Sequence, residues 1–310
     1  MNATRKVRKP FPWHLVVFIA PALIIYVIVM VIPLLDSLTL SFFTEDPNNA
    51  RNTIFVGIQN YKYLFTDKYY APIFWGAFKN NIVFFLIHML VQNPIGLLLA
   101  SVLCKGGKIR NFFRTVLFIP TILSFVLVGF VWKLILSPVW GVSKTILNIF
   151  GLGGLFRPWL GLEETALITC SLISVWQYIG TPMILFYTAL IAIPDELTEA
   201  AYVDGANAWQ IFWRVKFPLI LPTVGLVAMM TFVGNFNAFD LIYTMQGALA
   251  GPNLSTDIMG TLFYRTFFGQ QQQMPNQTLG ATIAAMQFII ILIGVVIYMI
   301  WQKRTTTYEY

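Results

Sequence analysis

Leu279-Gly280-Ala281-Thr282-Ile283-Ala284-Ala285-Met286-Gln287-Phe288-Ile289-Ile290-Ile291-Leu292-Ile293-Gly294-Val295-Val296-Ile297-Tyr298-Met299-Ile300-Trp301 carries no charged side chain, and Lys303 and Arg304 close it off. A hydrocarbon core needs roughly 20 apolar residues of helix to cross it, so this stretch is long enough to span a bilayer. Backbone groups in lipid must be satisfied within the segment, which makes a run of this length a helix rather than a strand. Five more runs of comparable length lie before it: 15–35, 81–103, 115–136, 165–194 and 217–243. The second contains His88, Gln92 and Asn93, the third Lys133, and the fifth Asp240 near its end.

Composition agrees. Of 310 residues 57% are apolar and 11% charged, with a mean hydropathy of +0.71. A soluble domain has roughly 25% charged residues, so this chain cannot cover a water-facing surface of its size. The expectation is an all-α integral membrane protein with about six transmembrane helices. The net charge of +7 does not indicate nucleic acid, because the basic residues form no single patch. They sit between the apolar runs, where lipid headgroups would be.

Their distribution sets an orientation. With the N-terminus inside, the inner segments hold Arg5, Lys6, Arg8, Lys9, Lys105, Lys108, Arg110, Arg114, Arg214, Lys216, Lys303 and Arg304. The longer outer segments hold Arg51, Lys62, Lys68, Lys79, Lys144, Arg157 and Arg265. Both termini are therefore expected in the cytoplasm. The first run is full spanning length and ends in Asp36-Ser37 rather than a small-x-small cleavage site, so it reads as an uncleaved first helix.

Several chemistries find no support. The sequence has no GxxxxGK[ST] phosphate loop, no HExxH and no GxSxG elbow. Cys104 and Cys170 form no CxxC and read as two unpaired thiols; no metal site is expected. Ion-coupled carriers bury several ionisable groups at mid-membrane. Here there are His88, Lys133 and Asp240, a poor proton relay, and Lys133 can snorkel to the headgroups. The energy for any work must come from a partner.

The inner loop 194–218 is patterned as helix, elbow and helix. Pro194, Asp195, Glu196 and Glu199 suit a helix N-terminus. Gly205 suits the left-handed residue after a helix end. Asn207 and Gln210 have the spacing of a capping box. Trp209, Phe212, Trp213 and Lys216 share one face at 3/4 spacing, and Pro218 is expected to stop the helix. An interfacial helix on the headgroups would look much the same.

This segment resembles the EAA loop of binding-protein-dependent ABC importer permeases, whose pattern is EAA, three residues, G, nine residues, I-x-L-P. Glu199-Ala200-Ala201, Gly205 and Val215-Lys216-Phe217-Pro218 stand at those spacings, with Val215 in place of Ile and Phe217 in place of Leu. Short segments elsewhere are similar to the carbohydrate subgroup related to the maltose and glycerol-phosphate permeases. They include Phe55-Val56-Gly57-Ile58-Gln59-Asn60-Tyr61, Trp159-Leu160, Val175-Trp176 and Phe239-Asp240-Leu241-Ile242-Tyr243.

The resemblance implies one type I permease domain over 1–310, multi-pass in a prokaryotic inner membrane, with 194–218 as its cytoplasmic coupling loop. Glu199, Ala200, Ala201, Asp204, Gly205, Val215, Phe217 and Pro218 would face the ATPase. Trp209, Phe212 and Trp213 would tie the loop to the membrane helices. It further implies a second, different permease subunit, two ATPase subunits that bind ATP and Mg, and an extracytoplasmic solute-binding protein that delivers a sugar. This chain itself would hold no cofactor. The same architecture could carry glycerol phosphate or another polar solute. A multispanning enzyme would need catalytic residues grouped at one interface, and none are visible.

Candidate solute contacts follow from chemistry. A pyranose has a polar rim and apolar faces, so amides, carboxylates and aromatic rings suit it. The fifth run offers Asn235, Asn237 and Asp240 beside Phe232, Phe236, Phe239 and Tyr243. Interhelical packing would also explain the Asn residues, and Asp240 could instead anchor the outer loop. In the fourth run, Trp176, Gln177 and Tyr178 precede Gly180-Thr181-Pro182, where a kink would free backbone groups. His88 and Gln92, one turn apart, are expected to hydrogen-bond to each other.

Overall fold

The structure, a computed structural model, describes residues 13–46, 49–104, 106–107, 110–270 and 273–305. Arg5, Lys6, Arg8, Lys9, Lys105 and Lys108, which weigh on the orientation, lie outside these. We label α1 (Val17–Leu40), β1 (Phe43–Asp46), β2 (Asn49–Phe55), α2 (Gln59–Thr66), α3 (Tyr70–Cys104), α4 (Arg110–Ile122), α5 (Phe125–Ile135) and α6 (Val142–Ile149). There follow α7 (Glu163–Tyr178), α8 (Gly180–Ile191), α9 (Asp195–Val203), α10 (Ala208–Leu219), α11 (Leu221–Phe236), α12 (Asp240–Gln246), α13 (Met259–Phe268) and α14 (Gln277–Thr305). Among the described residues, α1, α3 and α14 are each long and apolar enough to cross a membrane; the bent pairs α4–α5, α7–α8 and α10–α11 bring the number to six if each is one span.

The bends depart from the straight runs expected. Between α4 and α5 the chain turns by 95°. Ser124 is extended there (ψ 137°), and the Gln177 amide donates to the freed Leu123 carbonyl at 3.0 Å. The 43° bend between α7 and α8 falls at the expected Gly180-Thr181-Pro182 segment. A Cβ on Gly180 would stand 2.9 Å from the Leu117 carbonyl oxygen and from Phe118 Cα, so glycine is what lets α8 press against α4. The fifth run is not one helix to 243. Helix α11 ends at Phe236, and Asp240 opens the separate helix α12, where its charge suits the N-terminus. Phe232, Phe236, Phe239 and Tyr243 therefore do not form one helical stripe. The bundle also carries a two-stranded antiparallel hairpin, β1–β2, with Phe43 opposite Phe55, which an all-α expectation leaves out.

Three stretches widen into π-helical turns: Val27–Val31, His88–Gln92 and Phe212–Lys216. Each ends two residues before a proline, Pro33, Pro94 and Pro218. A proline lacks the N–H and its ring crowds the carbonyl four residues back. The extra residue of a π turn moves that carbonyl aside, and the residue before each proline donates five residues back instead: Ile32 to Val27, Asn93 to His88, Phe217 to Phe212. Pro218 therefore does not stop its helix. Helix α10 runs through it to Leu219, and the 68° bend into α11 comes at Ile220.

Packing divides the bundle into layers. One apolar cluster joins Phe84, Val128, Cys170, Ile173, Leu241 and Ile242; a second joins Ala100, Leu103, Met183, Phe186, Ile220 and Val227. Along α3, the α7–α8 pair and α11, the residues between these clusters are polar: His88, Gln92 and Asn93; Ser174 and Gln177; Thr231 and Asn235. All seven are buried. Cys104 and Cys170 are free thiols.

A different polar knot closes the α12–α13 end. Arg265 and Asp257 form a buried ion pair at 2.6 Å, with side chains 6% and 2% exposed. Thr261 Oγ donates to Asp257 at 2.7 Å, and Asn80 donates to the Ser255 and Asp257 carbonyls at 3.1 and 2.8 Å. Burial raises the Asp257 carboxyl above its ordinary range, with the Arg265 guanidinium and the Thr261 hydroxyl pulling the other way. Asn81 bridges the knot to α11: it donates to the Asn235 carbonyl at 2.9 Å and accepts from Met259 N–H at 2.7 Å.

Candidate functional site

The polar layer opens on a cavity of about 380 Å³ whose walls include His88, Gln92, Ser174, Tyr178, Thr181, Thr231, Asn235, Asn237 and Asp240. Phe84, Phe125 and Phe239 supply rings to the same wall. Four of the candidate solute contacts meet here: Tyr178, Asn235, Asn237 and Asp240. Asn237 and Asp240 are exposed, while Asn235 is buried. Asn235 Nδ2 donates to the Thr231 carbonyl at 2.6 Å, and its Oδ1 has no donor among the described residues.

The other four lie elsewhere. Gln177 is fully buried against the α4–α5 break, where it holds Leu123 as described and its own carbonyl accepts from Thr121 Oγ at 3.0 Å. Phe236 is also fully buried, packed on Phe78 and Phe232. Trp176 stacks edge-on to Trp132 at 5.5 Å on a separate groove shared with Trp159. Tyr243 stacks on Phe239 at 4.9 Å, outside the cavity wall.

The expected His88–Gln92 pair is not formed. His88 Nδ1 lies 2.8 Å from the Phe84 carbonyl, which can only accept, so Nδ1 carries the proton. Nε2 then accepts from Ser174 Oγ at 2.9 Å. Gln92 is left without either neighbour. Sequence reasoning passed over Ser174 and Thr231 altogether and read Thr181 only as part of a kink. Ser and Thr in apolar helices ordinarily bond the carbonyl one turn back, as Thr231 does to Val227 at 2.8 Å, and their presence alone signals nothing.

At the opposite end of the α10–α11 pair, the 194–218 segment forms the elbow its sequence predicts. Helix α9 ends at Val203, Gly205 sits at φ +79°, and Ala206 N–H returns to the Ala201 carbonyl at 3.0 Å. The capping box is present: Gln210 N–H donates to Asn207 Oδ1, and Asn207 N–H to Gln210 Oε1, both at 2.9 Å. Glu199, Ala200, Asp204, Gly205 and Pro218 are exposed; Ala201, Val215 and Phe217 are half-buried. Trp209 and Trp213 do not tie the elbow down, being 71% and 42% exposed. Phe212, the third residue expected there, does so by packing on the Ala100–Val227 cluster, and Ile211 beside it is 2% exposed. The two tryptophans do share a face, their rings 5.5 Å apart, but that face points away from the bundle.

The sequence that builds this cavity and elbow matches the model of a known family. Its description is "Binding-protein-dependent transport system inner membrane component", and its model covers residues 92–306. The chain belongs to this family. It is thus a permease subunit rather than an enzyme, of transporters whose ATPase activity lies in a separate subunit. Among such permeases it is 32% identical to the multiple sugar-binding transport system permease protein MsmF of Streptococcus mutans, over 96% of each chain. It is 30% identical to the probable starch degradation products transport system permease protein AmyD of Thermoanaerobacterium thermosulfurigenes, over 93% of each. Its fold superposes on a chain of a bacterial ABC transporter involved in the import of the acidic polysaccharide alginate, with a TM-score of 0.78 at 22% identity, covering 95% of this chain and 96% of that one.

Proposed function

We propose that this chain forms one half of a pore that passes a carbohydrate, delivered by an extracytoplasmic solute-binding protein and driven by ATP hydrolysis on partner subunits. The observation that carries this is the cavity wall: amides, hydroxyls and aromatic rings, with no Lys or Arg among them. That chemistry fits a neutral polyol, whose hydroxyls both donate and accept and whose CH faces lie on rings. A phosphorylated solute such as glycerol phosphate calls for cations, and the wall offers Asp240 instead. The sugar-related names of MsmF and AmyD point the same way.

In this arrangement the chain crosses the inner membrane six times with both termini in the cytoplasm. A second permease, different in sequence, completes the pore. Two ATPase subunits, which hold the ATP and Mg, dock on 194–218. Glu199, Ala200, Ala201, Asp204 and Gly205 present the contact; Val215, Phe217 and Pro218 carry its motion into α11. The Glu199 side chain makes no hydrogen bond or ion pair with the described residues, so its carboxylate is open to a basic or amide group on a partner. The test is reconstitution of the four-subunit complex in proteoliposomes with its binding protein. ATP-dependent uptake of a neutral oligosaccharide is expected. Uptake of glycerol 3-phosphate and of no sugar, or full ATPase activity in the purified chain alone, refutes the proposal.

A further inference from the structure

We propose that Gln92 is a solute-binding residue, forming with Asn235 an amide pair that hydrogen-bonds the sugar in the middle of the cavity; the inference rests on the carbohydrate assignment above. Gln92 lies on the cavity wall, is 5% exposed, and its side chain makes no hydrogen bond with any described residue. Its Oε1 is buried without a donor. A buried amide with no partner is costly, and folded proteins satisfy the great majority of them. Its neighbours show what satisfaction looks like in this layer. His88 is held at both ring nitrogens, and Asn93, the next residue, donates to Thr231 Oγ at 3.1 Å.

The second member of the pair lines the same cavity from α11. Asn235 has its Nδ2 engaged and its Oδ1 free, and it too is 5% exposed. Unmet hydrogen-bonding capacity from α3 and from α11 thus borders one cavity. Turning over an amide about its last bond exchanges its donor and acceptor ends, so Gln92 can present either to a hydroxyl, which does both. The local backbone supports the placement. Gln92 closes the π turn that Pro94 imposes, and this widened turn sets His88 and Gln92 on the cavity wall together. A purely structural glutamine would bond across to a neighbouring helix through its Nε2, as Gln177 does to Leu123, its Oε1 also lacking a donor, and as Gln287 does to the Phe236 carbonyl at 2.8 Å; Gln92 makes no such bond.

The experiment compares Gln92→Leu and Gln92→Glu in the complete importer, reconstituted with its binding protein and assayed with radiolabelled maltotriose, lactose and raffinose. Leucine keeps the volume and removes the amide; glutamate keeps an acceptor. For whichever sugar the native importer carries, Gln92→Leu should raise the KM for the loaded binding protein or lower the maximal uptake by about five- to tenfold, the loss of one neutral hydrogen bond. Gln92→Glu should retain more than half of native uptake. The melting temperature of the purified Gln92→Leu complex should be unchanged or higher, since an unpaired polar group has gone. Native uptake by Gln92→Leu overturns the inference and leaves the carbohydrate assignment standing, as does lost uptake accompanied by a lower melting temperature. Uptake of none of the three sugars by the native importer overturns both.

Discussion

Arg265→Met should be among the most damaging single changes to the fold, although Arg265 touches no part of the cavity. The guanidinium makes three short contacts: to both oxygens of Asp257 at 3.2 and 2.6 Å, and to the Ala248 carbonyl at 3.1 Å. Removing it leaves a carboxylate that is 2% exposed with one side-chain donor, Thr261 Oγ. Breaking a buried pair from one side costs about 3–5 kcal/mol, because the remaining charge has lost its compensation. Replacing both members with apolar residues removes that charge. Asp257→Leu with Arg265→Met should therefore recover about 2 kcal/mol relative to Arg265→Met alone, the residue of the loss being the orphaned Ala248 carbonyl, since the Thr261 hydroxyl keeps the Ile258 carbonyl at 2.9 Å. The assay is unfolding of the purified chain in mixed dodecylmaltoside and dodecyl sulfate micelles, followed by circular dichroism. A cost below about 1 kcal/mol for Arg265→Met, or a double variant no more stable than the single one, would show that the pair is not what holds the 247–268 segment.

Three other expectations are independent of that knot. Gly205→Val should cost about 1 kcal/mol from the left-handed backbone alone, because a Cβ there meets nothing within 4 Å, and Gly205→Asn should cost less; measured side by side in the assembled importer, valine should leave hydrolysis and uptake uncoupled or weaken ATPase retention, and wild-type values in all three would remove the coupling role. Cysteines placed at 60 and 150 should react with an impermeant maleimide on intact cells and one at 203 should not; outside labelling at 203 would reverse the orientation. Gln177→Ala and Asn237→Ala should part company: the first lowers the melting temperature by freeing the Leu123 carbonyl, while the second leaves it unchanged and lowers uptake by about fivefold, so equal melting temperatures would contradict the assigned roles.

Much of this architecture is legible in the apolar runs, because in lipid nothing but a helix satisfies the backbone. The elbow was also legible, since Gly205, Asn207 and Gln210 act through local backbone geometry that three or four residues specify. What the runs hide is where helices break. Leu123-Ser124 bends the third run by 95° with no proline at the bend itself, and the capping Gln177 comes from a segment 54 residues away. The same long-range contact explains the misassigned Gln177: a polar residue in a membrane helix shows that a partner is needed, without showing whether that partner is backbone or solute. His88 and Gln92 were misread because an i, i+4 relation presumes an α-helical turn, and Pro94 makes this one π-helical. The Arg265–Asp257 pair went unnoticed because eight residues separate the two, neither stands in an apolar run, and a charge in an outer loop ordinarily faces water.

Helix α1 packs differently from every other span. Across its most apolar window none of it is buried within this chain, and it meets the bundle chiefly near Ser41, where Tyr61, Asn60 and Thr282 gather. The family model begins at residue 92, well after it. A segment fastened at one end and otherwise unburied within its own chain needs length and an apolar surface rather than a face shaped to fit the bundle. Exchanging one apolar residue for another along these 24 residues should disturb the bundle little, whereas a change at Ser41 breaks its bonds to Tyr61 and the Leu38 carbonyl. Helix α1 precedes the broken helices in the chain and, as one helix, satisfies its own backbone without needing any of them.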